Sequence, residues 1–252
     1  MLSPHRDDAV FSLCLCMLRW ARGGISVRVA TFFTRSAYAP RSPAPEPGQD
    51  RCGAVSLLRE REDRAALSGI ARAIGTESFG FLDAPLRLGI APSDVCGESA
   101  RQLDRSGMAE RLTAAVVECV RGGLVLAPLG LGGHVDHLAI WSAAISASAG
   151  LRNLGFYEDL PYATWTAEDA LRERVRESER RAGVLLRPAV IRENRPIGSK
   201  RRVVSRYESQ ITPREADIIA RFGSRYGGGE RIWIPKCSGK WNLLLKFPDR
   251  FS

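Results

Sequence analysis

The sequence predicts an α/β fold, a Rossmann-like three-layer sandwich with a mostly parallel sheet. Three observations carry that prediction. Short β-branched or apolar runs, ISVRVATFF (25–33) and LVLAPL (124–129) foremost, alternate with longer stretches of helical period. The glycine pairs Gly23-Gly24 and Gly122-Gly123 close the helical stretches just before those runs. The run 124–129 is apolar without alternation, as a strand covered on both faces requires. Strands and helices in this order close as right-handed crossovers onto a parallel sheet.

In chain order, only Met1 and Leu2 precede SPHRDD (3–8), so a strand before that motif is at most Met1-Leu2-Ser3. A strand that short forfeits several ladder hydrogen bonds, each worth about 1 kcal/mol net. Residues 8–21 predict a helix, with Val10, Leu13, Cys14, Met17 and Ala21 at helical spacing. The strand 25–33 follows. The proline-rich segment 38–50 is too stiff and polar for the core and predicts a mobile loop. Residues 55–74 predict a charged amphipathic helix ended by Gly75, FGFLD (79–83) a short strand, and 84–106 a loop with turns. A helix over 108–121 leads into the strand 124–129, then GLGGHVDH, then a helix over 138–149. NLGFYEDLPYA (153–163) predicts a strand running into a loop. Helices are expected over 167–183 and 213–222, with further strands at 200–206 and 231–234. No repeat is visible. The expected organisation is a single domain, 1–252, with a more variable part from about 190.

Composition narrows the function classes. The 252 residues are 44% hydrophobic and 26% charged, which suits a folded globular chain rather than a disordered one. No run of about 18 apolar residues exists, so no membrane span is expected. Acidic residues precede the apolar stretch 9–20 and arginines close it, unlike a signal peptide. The net charge of +9 favours anionic partners. Its arginines alternate with acids, as in LREREDR and RERVRESERR, so a solvated surface is expected and no nucleic-acid partner. The six cysteines include no CxxC pair, and Cys14 and Cys16 sit on different sides of a helix. Buried free thiols in a reducing cytoplasm are the expectation. Oligomeric state is not legible.

The chain has three histidines, His5, His134 and His137, all in polar clusters at predicted strand-to-helix turns. Parallel α/β folds place their sites outside the carboxyl ends of strands. Catalytic zinc takes three protein ligands and leaves a position for water. His5 and Asp8 are three apart, so one helical turn aims both at one point, and His137 is available as the third. Asp7, His134 and Asp136 remain as acid–base and oxyanion-stabilising groups. Plainer readings stand beside these: Asp7 or Asp8 as a helix N-cap, and the glycines of GLGGHVDH as a tight turn or a weak phosphate cradle.

At these residues the sequence resembles the PIG-L/LmbE-like N-acetylglucosaminyl deacetylases, which carry an (A/S)PHxDD motif and a later HxDH motif. They stand here as SPHRDD (3–8) and HVDH (134–137). LREREDRAAL (58–67), FLDAPLR (81–87), FYEDLPYA (156–163) and KRRVVSRYESQ (200–210) are similar to members too. The resemblance implies a zinc-dependent deacetylase, with Fe2+ or another divalent metal as the alternative. It implies His5, Asp8 and His137 as metal ligands and Asp7 as general base. His134 is implied as the oxyanion stabiliser, with Asp136 as its orienting partner. The implied substrate is a small N-acyl amino sugar or glycoconjugate. Arg59 and Asp83 are the candidates for holding it. Tyr157, Glu158 and Asp159 offer hydroxyl-binding groups, and Trp165 offers a stacking face or a core residue. The chain departs from the family at Arg6, where members carry proline or an apolar residue. That guanidinium pairs with a nearby acid or reads an anionic group at the mouth. Rival readings are an amidase for a non-sugar or thiol conjugate, an inactive binding module on the same fold, and a nucleotide-binding module.

Overall fold

The structure, a computed structural model, describes residues 1–43, 50–103, 108–120, 123–148, 153–237 and 239–245. Strand β1 (Leu2–Ser3) pairs in parallel with β2 (Arg28–Thr31), and β2 with β3 (Gly75–Ser78). Helix α1 (Asp8–Arg22) connects the first two strands, and α2 (Arg51–Ile70) the second and third. The segment after β3 holds α3 (Ala84–Leu88), a 3-10 turn (Pro92–Asp94), α4 (Glu98–Leu103) and α5 (Met108–Val120). Next come β4 (Val125–Pro128), a 3-10 turn (Leu131–Gly133), α6 (Val135–Ala147) and β5 (Leu154–Tyr157). The chain continues through a 3-10 turn (Tyr162–Thr164), α7 (Glu168–Ala182), β6 (Leu186–Arg192), α8 (Pro196–Val204) and α9 (Pro213–Phe222). It ends its described part with β7 (Gly229–Pro235) and α10 (Gly239–Leu245).

The expected α/β architecture holds, but the strands hydrogen-bond as two sheets. One is parallel, in the order β1-β2-β3; the other is mixed, in the order β4-β5-β7-β6. The division falls at β1, which lies against β4 without a ladder. The carbonyls of Met1 and Ser3 accept from Ala30 and Phe32 on β2. By strand alternation the Leu2 carbonyl faces the other edge. There the Tyr157 hydroxyl, from the end of β5, donates to it at 3.0 Å. A side chain thus ties the two sheets together where β1 and β4 form no ladder.

Helix α1 is buried on nearly every side because α2, α8, β1, β6 and β7 all pack on it. Cys14 and Cys16 are therefore both buried although they point different ways. The expectation of buried thiols fails elsewhere: Cys52, Cys96 and Cys119 are half-buried and Cys237 is exposed. Helix α1 kinks at Leu13, and the Cys16 N–H goes instead to Glu230 on β7 at 2.9 Å. Glu230 also holds the buried Lys200 ammonium of α8 at 2.7 Å.

Several expected elements are corrected. The strand sits at Gly75–Ser78, not at 79–83, because an exposed sheet edge needs no apolar run. FGFLD continues beside β2 only through single hydrogen bonds and one bridge, Leu82 to Arg35. The predicted strand at 200–206 is helix α8, which Pro196 opens at its first turn, and Val203 and Val204 are its buried face. Strand β6 adds to the expected elements, and Pro188 stands within it. It is an edge strand, where proline is tolerated. The expected loop 84–106 contains α3 and α4, and a small apolar cluster of Ala84, Val95, Ala100 and Val135 fastens it to the start of α6. Of the expected mobile loop 38–50, residues 44–49 lie outside the described residues.

Candidate active site

SPHRDD leaves the carboxyl end of β1, and GLGGHVDH leaves the carboxyl end of the neighbouring β4. The Ser3 hydroxyl fixes the first turn by donating to the His5 carbonyl (2.6 Å) and accepting from the Ala9 N–H (3.0 Å). Asp7 is the N-cap residue of α1, but its side chain makes no cap bond. The Asp8 carboxylate likewise turns away from the helix and accepts from the His5 N–H at 2.7 Å. The plain capping reading of these carboxylates therefore fails. In the second turn Gly130, Gly132 and Gly133 all have positive φ, which lets six residues fold back from strand to helix.

The two turns bring all three histidines together. His5 Nδ1 is 3.1 Å from Asp8 Oδ2, and His137 Nε2 is 3.3 Å from the same oxygen. The Nδ1 atom of His137 meets Asp159 Oδ1 at 2.7 Å, while its Nε2 is buried with no hydrogen-bond partner. Asp159 also accepts from the Leu131 N–H. A histidine anchored by a carboxylate at one nitrogen, with the other nitrogen free beside further donors, is the arrangement a metal ligand needs. His5, Asp8 and His137 together offer donor atoms all within 4.8 Å of one another. Imidazole and carboxylate suit a divalent metal.

His5, His134 and Asp136 form a second such group, sharing His5. Asp136 is fully buried and already takes three donors: His5 Nε2 (2.9 Å), the Ala84 N–H (2.9 Å) and Arg87 (2.8 Å). The first group therefore fits a metal better. Burial opposes charge on His5, but the hydrogen bonds to Asp136 and Asp8 outweigh it and raise its pKa to about 9. Burial would raise the pKa of Asp8; His137 and His5 hold it well below the ordinary carboxylate range. Burial, with His5 and His137 nearby, pushes His134 down to about 3. Its Nδ1 accepts the Asp136 N–H at 3.1 Å, so the ring proton sits on Nε2. The resemblance implies Asp136 as the orienting partner of His134. Instead the Asp136 side chain orients His5 and only its backbone reaches His134.

Residues 1–148, which include both motifs, match the PIG-L family, described as GlcNAc-PI de-N-acetylase. The chain belongs to the PIG-L family. It is 35% identical over 170 residues to the 2'-N-acetylparomamine deacetylase of Streptomyces fradiae, a match covering 65% of this chain and 57% of that protein. The structure is similar to a teicoplanin deacetylase solved with teicoplanin, with a TM-score of 0.64 at 27% identity. That likeness covers 92% of this chain and 96% of the other. The zinc-inhibited form of a teicoplanin deacetylase has a TM-score of 0.65 at 23% identity, over 94% and 98% of the two chains, and shares the fold.

Around the centre of this PIG-L chain the remaining expected residues divide sharply. Arg59 belongs to the site: it is buried, donates to Asp7 Oδ1 at 3.2 Å and to the Ser36 hydroxyl at 3.2 Å. Asp159 belongs there too, but as the partner of His137 rather than as a sugar acceptor; it is fully buried. Three others are corrected. Asp83 caps α3 by accepting from the Leu86 N–H. Tyr157 is buried and spent on the Leu2 carbonyl. Glu158 is buried under Arg231, Trp233 and Tyr226. Arg6 does not stand at the mouth: it is buried against α2, 3.8 Å from both Glu60 and Asp63. Arg87, Ser36 and Tyr162 were missed. Tyr162 packs edge-on to His137 at 5.2 Å, contributed by the loop after β5, and no spacing relates it to either motif.

Proposed function

We propose that the chain is a zinc-dependent hydrolase that removes an acetyl group from an N-acetyl amino sugar or its glycoconjugate. The observation that carries this reading is the His137 ring, anchored through Nδ1 by Asp159, whose buried Nε2 makes no well-formed hydrogen bond and faces Asp8 Oδ2 at 3.3 Å beside His5. His5, Asp8 and His137 would hold the metal. Bound there, it would acidify a water and polarise the amide carbonyl. Asp7 takes the proton of the attacking water. Arg59 engages Asp7 Oδ1 and leaves the second oxygen for this work. As the carbonyl carbon becomes tetrahedral, the neutral His134 donates its Nε2–H to the developing oxyanion. Asp7 then returns the proton to the amine nitrogen as the C–N bond breaks, so acetate and a free amino sugar leave. Arg87 and the Ala84 N–H fix Asp136, which in turn fixes His5.

The named relatives support the deacetylase assignment: one is named for 2'-N-acetylparomamine and another is a deacetylase in complex with teicoplanin. We read 1–252 as one domain, supported by a principal apolar core that runs from Leu2 to Trp241. Six unpaired cysteines suit a cytoplasmic protein. Among the described residues no helix is long and apolar enough to cross a membrane.

The test is acetate release from N-acetylglucosamine and N-acetylated aminoglycoside fragments by metal-free and zinc-loaded protein. Activity should require the metal. Asp7→Asn should keep the metal and lose about 10²–10⁴-fold in kcat. Normal turnover in that variant would remove Asp7 from the base role; no acetate from any substrate would overturn the reading.

A further inference from the structure

We infer that Trp165 and Tyr162 form an aromatic platform beside the active site that takes the face of a ring next to the acylated sugar. This rests on reading the site as an amino-sugar deacetylase. Two ring contacts lead outward from the proposed metal ligand His137. The Tyr162 ring stands edge-on to His137 with centroids 5.2 Å apart, and the Trp165 ring stands edge-on to Tyr162 at 5.7 Å. Tyr162 also meets His134 at 6.3 Å, so it borders both halves of the site. Trp165 is 65% exposed, the most open of the large apolar side chains among the described residues. The open indole stands at the outer end of a series of ring contacts that begins at His137, which gives it a use that exposure alone would not.

The platform is built rigidly. The Ala163 N–H donates to the Asp159 carbonyl at 2.8 Å, which ties the turn to the residue that anchors His137. The Thr166 hydroxyl donates to the Tyr162 carbonyl at 2.9 Å. Across the ring lies Gly132, where a Cβ would stand 2.3 Å from Tyr162 Cδ1. Gly132 therefore makes the space that lets the tyrosine lie against the histidines.

The occupant follows from how far the exposed ring stands from the reacting centre. An acetyl group is too short to reach from the carbonyl past the Tyr162 ring to the second ring of the series. The part of the substrate that reaches a solvent-exposed indole is the scaffold on the amine side. A pyranose or an aromatic aglycone presents a C–H-rich or flat face to such a ring.

The test compares kcat/KM on N-acetylglucosamine, N,N'-diacetylchitobiose and p-nitrophenyl N-acetyl-β-glucosaminide, with N-hexanoylglucosamine as the acyl-side control. Trp165→Ala should lower the ratio of the two-ring substrates to N-acetylglucosamine by about three- to tenfold, through KM. Trp165→Phe should restore most of it. An unaltered ratio, or a loss confined to the hexanoyl substrate, would overturn the platform. Calorimetric binding of diacetylchitobiose to wild type and Trp165→Ala reads the platform separately from turnover. Absent acetate release with a Trp165-dependent affinity would therefore count against the deacetylase reading and for the platform.

Discussion

Two of the clusters of buried charge among the described residues are finished differently. At the junction of α1, α8 and β7, Lys200 and Glu230 pair at 2.7 Å, and the free N–H of Cys16 fills the second carboxylate oxygen. Nothing there asks for a ligand. At the ends of β1 and β4, carboxylates and histidines are buried too, yet His137 Nε2 makes no well-formed hydrogen bond and has Asp8 Oδ2 beside it at 3.3 Å. Burying a polar atom without a hydrogen bond costs roughly 1–3 kcal/mol, and proteins tolerate that at few places. The contrast teaches that burial and charge do not mark the site. What sets this cluster apart is a buried imidazole nitrogen without a well-formed hydrogen bond, standing beside a second histidine and a carboxylate.

The largest effect that sharpens this contrast is expected at the completed cluster. Lys200→Met leaves Glu230 charged and unpaired in the core, and should lower unfolding free energy by about 3–5 kcal/mol in urea titrations. Lys200→Met with Glu230→Leu should recover most of that, because two apolar groups leave no uncompensated charge. A Lys200→Met protein as stable as wild type would erase the distinction between the clusters. Next in size is Asp159→Asn, which weakens the anchor of His137 without touching a proposed ligand atom. It should reduce zinc affinity about 10–100-fold by competition with a chelating dye, while leaving urea stability nearly as it was.

The smallest effect concerns Asp63, which borders Arg6 behind the site. Burial raises its pKa to about 7, against the hydrogen bond from Tyr207 and the nearby Arg6. Its folded pKa lies above the unfolded value of about 3.9. The folded state therefore binds the extra proton, and stability is fully present below about pH 4 and lost as pH rises through about 7. Asp63→Asn should flatten the fall in Tm between pH 5 and 7.5 relative to wild type; identical slopes would show that Asp63 titrates as an ordinary carboxylate.

The local motifs were legible in the sequence because their geometry is local. SPHRDD and HVDH each sit within one turn of chain, and alternation of strands and helices places both at carboxyl ends of neighbouring strands. The helix 213–222 was legible for the same reason: Thr212 and Glu215 form a capping box at its start. What failed depends on contacts distant in sequence. Asp159 reads as a sugar acceptor until β5 pairs with β4 and delivers it to His137. Tyr157 reads as a hydroxyl-binding group until the fold brings its own hydroxyl to the Leu2 carbonyl. Arg87 and the Ala84 N–H reach Asp136 from a segment that carries no periodic pattern. Pattern also misled at 200–206, where β-branched residues lie on a helix that a buried lysine fastens to β7.

The central claim is that His137 Nε2 is kept free for a metal. The most direct measurement is zinc content and affinity, by elemental analysis and calorimetry, of wild type and His137→Ala, with circular dichroism to confirm that both are folded. The account predicts a tightly held zinc in wild type and loss of that binding in folded His137→Ala. Wild-type protein that takes up no zinc, or a folded His137→Ala that binds it equally well, would contradict it.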